Sequence, residues 1–387
     1  MNGFKLARSR APHLATIVLL GLGCHINTLS NGFVFDDSAY LASVLVHEMA
    51  IGEIFTANWL GLDIYRPLAL LSLSCDFRLY GEAPMGFHLT NTLLHVINGL
   101  LFYALACELV SHRRAALWAA LVYICHPLQT EVVGWISARG DLLASSFFLG
   151  GFLAYLYERR TASWILYTAA VLSKETAVIL PVVLFLHAHW LERAEGKWRL
   201  RVKSWCKRHW GYGVALGAVL ALRFAVLGDA DAPAGPTSTN FLSDLDIVPR
   251  WATVVSIWAR YALLLALPVR LSADYSFASI PPVASPLNPW FIAGLIVVAA
   301  SVFLPWWTHS RRLAFATAFL WLSLLPISNV FVLAPSGMAE RYLHLGLVAA
   351  TLAVGWSVAR SSALRRLWPL GVIAVLLLSA ATIGRNR

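Results

Sequence analysis

Long apolar runs alternate with short polar breaks along most of this chain. A hydrocarbon layer about 30 Å thick takes roughly 20 apolar residues of helix to cross. Runs that meet this requirement, singly or as a joined pair, fall at about 12–30, 87–110, 115–133, 141–157, 162–190 (two spans), 210–227, 289–307, 313–332, 342–359 and 368–384. The pattern predicts an all-α, polytopic membrane protein of about 11 transmembrane helices. Residues 31–86 break it with Asp36, Asp37, Glu48, Glu53, Asp63, Arg66, Asp76 and Arg78, and are expected to form a large first extracytoplasmic loop. Residues 251–267 contain Arg260 and end at Pro268. They are expected to be re-entrant or to lie on the surface, because a full crossing would put Arg311 and Arg312 on the wrong side.

Composition sharpens the class. Hydrophobic residues make up 59% of the 387 and charged residues 13%, against about a quarter charged in soluble proteins. Lys and Arg exceed Asp and Glu by 30 to 20. The excess is clustered at His112-Arg113-Arg114, Glu158-Arg159-Arg160, residues 191–209, Arg311-Arg312 and Arg365-Arg366, as orientation by positive loops requires. Nucleic acid is thereby excluded as the partner. Cys24, Cys75, Cys107, Cys125 and Cys206 have no CxxC spacing and read as small core residues. Lys5, Arg8 and Arg10 precede the first run without a small-x-small cleavage site, which predicts a retained first span with a cytoplasmic N-terminus. No internal repeat is evident, so residues 1–387 are expected to form one membrane domain.

Ionisable groups at membrane depth are costly, so the remaining charges carry the most information. Asp36 and Asp37 follow the first span. Adjacent carboxylates suit general-base work, since repulsion raises one pKa while the neighbour stays ionised, and they can also hold a divalent cation. The bland reading, an N-cap for a helix near Ser38, is the one that spacing alone slightly favours. Arg66-Pro67 opens an amphipathic helix whose N-terminus is either an anion site or an interfacial anchor. His88, Asn91, His95 and Asn98 share one helix face, for which interhelical hydrogen bonding outweighs metal binding. His126, Glu131, Trp135, Ser137, Arg139 and Asp141 crowd one polar segment, Lys174-Glu175 interrupts two apolar runs, and Glu340-Arg341 precedes another. Each ionic pair alone suggests helix-to-helix bonding. Arg66, Arg139, Lys174 and Arg341 together suggest a phosphate.

These residues also carry a family resemblance. FVFDD (33–37), YRPL (65–68), FHLTNTLLHVIN (87–98), HPLQTEVVGWISARGDLLA (126–144), SKETAV (173–178), LSADYSF (271–277) and AERYLHLG (339–346) occur in order. Together they resemble the membrane domain of the transmembrane and tetratricopeptide-repeat-containing proteins. Those belong to the GT-C glycosyltransferases and are similar to protein O-mannosyltransferases. The resemblance implies a GT-C fold and an inverting transfer of a sugar, mannose, from a polyprenyl or dolichyl phosphate to a hydroxyl. The acceptor is expected to be Ser or Thr of a protein, with a cell-envelope glycan or lipid as the alternative. Asp36 and Asp37 match the acidic pair, with Asp36 taken as base and Asp37 as orienter. Arg66, Arg139, Lys174 and Arg341 are expected to bind the donor phosphate, and His126, Glu131, Asp141, Glu175 and His95 to shape the pocket. No metal requirement is implied. The setting would be a bacterial inner membrane, with the site extracytoplasmic and membrane lipids as neighbours. The tetratricopeptide repeats of relatives are not expected within residues 1–387. The competing class is a transporter or flippase of sugars or lipid-linked sugars, motivated by the spans and the polar helix face.

Overall fold

The structure is a computed structural model and describes residues 11–42, 46–47, 51–56, 58, 64–192, 198–228, 240–276 and 279–386. Lys5, Arg8, Arg10, Glu48, Asp63, Arg193, Lys197, Phe277 and Arg387 lie outside the described residues. The described part is helical, with no β-strand. Five of its helices are long and apolar enough to cross a membrane, or six if the bent pair Arg199–Arg208 and Gly211–Leu227 counts as one span. The protein is thus a multi-pass membrane protein.

Helix α1 (Ala11–His25) leads into the first loop, which carries α2 (Asp37–Leu41), α3 (Ile51–Thr56) and α4 (Pro67–Tyr80). Next come α5 (Pro84–Leu109), α6 (Arg113–Cys125), α7 (Gln129–Gly134), α8 (Arg139–Leu156), α9 (Arg160–Ser173) and α10 (Leu180–Trp190). The basic α11 (Trp198–Arg208) bends by 67° into α12 (Gly211–Leu227). The chain continues through α13 (Ile247–Ala266), α14 (Pro289–Trp307), α15 (Arg311–Leu324), α16 (His344–Arg360), α17 (Ser362–Arg366) and α18 (Trp368–Arg385).

The run expected at 115–133 does not form one helix. Cys125 ends α6, because the residue before Pro127 is pushed out of the helical region, and the chain then turns through α7 into α8. The run expected at 313–332 stops as an α-helix at Leu324, where a 3-10 turn over Leu325–Ile327 takes over. Helix α13 is continuous, and contacts along it reach neighbouring loops. Thr253 Oγ1 accepts from Val283 N–H at 2.9 Å, Tyr261 Oη donates to the Ala339 carbonyl at 3.3 Å, and the Leu265 carbonyl meets His126 at 3.3 Å.

The main core gathers apolar residues of α1, α5, α6, α8, α9, α10, α15 and α16. A smaller core joins the first loop to the bundle through Tyr40, Leu41, Val46, Ile54, Leu70, Leu73, Phe87 and Ile136. This burial fixes the loop on the helix ends, with α4 packed against α5, α8 and α9. Beyond the far end of α5, Arg312 reaches Ser111, beside the His112-Arg113-Arg114 turn, at 3.4 Å. The first loop and these basic turns therefore lie at opposite ends of α5.

Candidate active site

The segment 131–141 organises the site, because successive residues in it reach different elements. Glu131 accepts the backbone N–H of Arg341 at 2.8 Å and forms an ion pair with its guanidinium. Trp135 Nε1 donates to Asp36 Oδ1 at 3.0 Å, and Arg341 covers the same indole with its guanidinium carbon 4.6 Å from the ring centroid. Ser137 donates to Asp37 Oδ1 through its backbone N–H at 2.8 Å and its hydroxyl at 2.5 Å. Asp141 accepts from Lys174 Nζ at 2.5 Å. One indole thus links Asp36 to Arg341.

The two aspartates have different occupations. Asp37 is fully buried, and besides Ser137 it accepts Val34 N–H on Oδ2 at 3.0 Å. Its Oδ2 holds the turn on Val34, and its Oδ1 ties that turn to Ser137. Asp36 stands at the N-cap position of α2 but makes no side-chain cap bond. It is half-buried, and its carboxylate turns toward Trp135. Burial, followed by the charge of Asp37, raises its pKa above the ordinary 3.8, against hydrogen bonds from its own backbone, Trp135 and Ser137. The capping role that spacing favours is not what this side chain does.

The cations fall into two groups. Arg66 binds Glu175 in a two-point ion pair, Nε to Oε2 at 2.9 Å and a terminal nitrogen to Oε1 at 2.5 Å. Arg341 engages Glu131 through one terminal nitrogen. Both are partly accessible, with side-chain exposures of 18% and 16%, and both keep guanidinium N–H groups outside their ion pairs. Lys174 is buried on Asp141 and lies within electrostatic reach of Arg66, Glu175 and Arg341. Gly140 allows this closeness, since a Cβ there would lie 2.9 Å from the Ser173 carbonyl. Tyr40 senses Arg66, Asp36, Glu175 and Arg341 together, and burial pushes its phenol up to about 12.

Arg139 is different. Its side chain is completely buried, where it bonds Asn91, Ser72 Oγ at 2.8 Å, Asp76 Oδ2 at 2.7 Å and the Phe87 carbonyl at 3.0 Å. Every nitrogen of the guanidinium is used, so the expected phosphate contact is corrected to a structural one that ties α8 to α4 and α5. His126 and His95 are likewise buried against backbone groups. His126 is buried between the Leu265 carbonyl and Leu128 N–H, each at 3.3 Å, which removes it from the pocket. His95 places Nε2 on the Ile124 carbonyl at 3.0 Å, while its Nδ1 is buried without a hydrogen-bond partner among the described residues. It belongs with Asn91, bonded to the Val133 and Trp135 carbonyls, and Asn98, bonded to the Leu142 carbonyl at 3.0 Å. The polar stripe of α5 is an interhelical ladder.

Among the described residues no group of three or more His, Cys, Asp or Glu is placed to hold a metal ion. A cation at Asp36 and Asp37 would rest on a pair in which Asp37 already accepts three hydrogen bonds. Trp135, Ser137 and Tyr40 belong to the site although the residue pattern does not mark them as functional. The first two do lie inside the HPLQTEVVGWISARGDLLA string, whose density of polar types is the signal that points to them.

No family model matches the chain. Protein O-mannosyl-transferase TMTC3 of Mus musculus is 25% identical over 438 residues, covering 99% of this chain and 46% of that protein. Protein O-mannosyl-transferase Tmtc2 of Drosophila melanogaster is 31% identical over 297 residues, 67% of this chain and 30% of that one. The chain resembles the protein O-mannosyl-transferases. It spans about half the length of two of these relatives, 46% of the mouse protein and 49% of the Caenorhabditis elegans protein F38B6.6. A solved structure, ArnT from Cupriavidus metallidurans bound to undecaprenyl phosphate, aligns with a TM-score of 0.47 and 16% identity. That alignment covers 96% of this chain and 63% of ArnT.

Proposed function

We propose that this protein is an inverting glycosyltransferase of the GT-C type with about 11 spans. It moves a sugar, mannose, from a polyprenyl or dolichyl phosphate to a hydroxyl acceptor, Ser or Thr of a protein, at the extracytoplasmic face of a bacterial inner membrane. The observation that carries the reading is Asp36. It is a half-buried carboxylate with a raised pKa that is not used as a helix cap, and one indole joins it to a partly accessible arginine. The likeness to protein O-mannosyl-transferases supports the sugar and the acceptor.

In this mechanism Asp36 takes the proton of the acceptor hydroxyl as its oxygen attacks the anomeric carbon. The bond from that carbon to the phosphate oxygen breaks on the opposite face, which inverts the configuration. Arg66 and Arg341 meet the charge that develops on the departing lipid phosphate, and Lys174 adds positive potential from behind. Asp37 fixes the turn that presents Asp36. Glu131, Asp141 and Glu175 hold the three cations in place. The chemistry calls for no divalent cation at Asp36 and Asp37, so EDTA is expected to leave transfer unchanged.

The test is transfer from polyprenyl-phosphate mannose to a Ser/Thr peptide by purified protein. Asp36→Asn is expected to slow it by roughly 100- to 10,000-fold, and full activity in both Asp36→Asn and Asp37→Asn overturns the reading. Transfer to envelope glycan or lipid with none to peptide keeps the chemistry and replaces the acceptor. In the polar stripe that motivates a transport alternative, Asn91, His95 and Asn98 each bond a backbone carbonyl of a neighbouring segment, which favours the enzyme.

A further inference from the structure

Phe35 is out of keeping with its surroundings. It precedes Asp36, is 68% exposed and has a backbone φ of +49°, the left-handed region that a bulky aromatic residue avoids. The cause is visible. Asp37 Oδ2 accepts Val34 N–H at 3.0 Å while Asp37 N–H donates to the Val34 carbonyl at 3.0 Å, closing a tight turn around residues 35 and 36. An asparagine or glycine would adopt this conformation at lower cost. The ring is not spent on the core. It meets Trp135 edge-on, with centroids 5.9 Å apart at 66°. Trp135 is itself hydrogen-bonded to Asp36 and covered by Arg341. An aromatic face therefore stands beside the proposed base, held there against local backbone preference. Strain of this kind persists where the surrounding structure over-determines it, and it gathers at ligand contacts.

We propose that Phe35 is a sugar-contacting residue, whose ring stacks on the apolar C–H face of the hexose carried by the lipid phosphate. The polarised C–H groups of a pyranose complement the electron-rich face of an aromatic ring. Stacked beside Asp36, the sugar presents its anomeric carbon to the hydroxyl that Asp36 deprotonates. This inference rests on the glycosyltransferase reading and adds to it the residue that grips the donor sugar.

The experiment measures KM for a short-chain polyprenyl-phosphate mannose, KM for the acceptor peptide, and the thermal midpoint of the purified protein. Phe35→Asn fits the left-handed turn and lacks the ring. It is expected to raise the donor KM about tenfold, leave the acceptor KM within about twofold, and keep or raise the thermal midpoint. Phe35→Tyr and Phe35→Trp are expected to stay within about twofold of the parent. Two outcomes overturn the proposal. One is an unchanged donor KM in Phe35→Asn. The other is full activity in Phe35→Leu, which would make residue 35 an apolar contact with lipid rather than a sugar platform. Asp36→Asn is assayed in parallel. If it stays fully active, the function reading is what fails. If it is inactive while Phe35→Asn keeps the parent KM, only the sugar contact fails.

Discussion

Two charged constellations grow from the same stretch of chain and behave in opposite ways. Around Arg139 every guanidinium nitrogen meets a partner, and the Arg139 and Asp76 side chains are 0% and 5% exposed. Around Asp36 the arrangement is open: a half-buried carboxylate, an indole, and an arginine with N–H groups outside its ion pair. Both draw on the few charges that the polar breaks hold, so scarcity of charge does not tell them apart. Saturation of the hydrogen bonds does. A closed set of partners stabilises a fold, whereas a charge held at one edge is free to meet a substrate.

Removing one member from each constellation puts this contrast at risk. Arg139→Met leaves Asp76 buried without its cation, and is expected to destabilise the protein by about 3–5 kcal/mol, measured by thermal unfolding in detergent. Asp36→Asn is expected to cost roughly 100- to 10,000-fold in transfer rate while moving the thermal midpoint little. A stable Arg139→Met protein, or an unstable Asp36→Asn one, would reverse the assignments. Arg341→Gln tests the cation side. A loss of roughly 100-fold in kcat with folding preserved is expected if the guanidinium meets the leaving phosphate.

Smaller effects separate the two aspartates. Asp37→Asn weakens a buried acceptor of three hydrogen bonds, and is expected to cost about 1–3 kcal/mol of stability alongside a milder loss of rate. The pH dependence follows from the sign of the Asp36 shift. A base with a raised pKa is active above that pKa and loses activity as pH falls through it, so the acid limb of kcat/KM should lie above 3.8. Removing the Asp37 charge takes away one of the raising influences, so the acid limb of Asp37→Asn should move to lower pH. An acid limb at the same pH in both proteins would show that Asp36 is not the titrating base.

Much of the helical framework is legible in the residue order. The apolar runs predict helices that the structure contains at 84–109, 139–156, 211–227, 289–307 and 368–385. The stripe His88, Asn91, His95 and Asn98 reads as interhelical bonding, because spacing of three and four places side chains on one helix face. The polar segment after His126 stands out as a concentration of chemistry. The partner of each charge is not legible in this way. Arg66 meets Glu175, 109 positions away, and Arg341 meets Glu131, 210 positions away. Asp36 finds Trp135 across 99 positions.

Residue order alone points to an all-helical chain built for a membrane, with basic residues clustered in a few turns and a small set of other charges in the breaks. Those properties depend on periodicity and transfer free energy, which are local and additive. It takes the folded molecule to show that the hydrogen bonds of Arg139 and His126 are filled by neighbours, that Asp37 is buried on Val34 and Ser137 while Asp36 is half-buried, and that Phe35 stands exposed beside it. The reason is physical. A charged side chain is assigned by which hydrogen bonds it has left to make, and that depends on residues brought together by packing rather than by order along the chain.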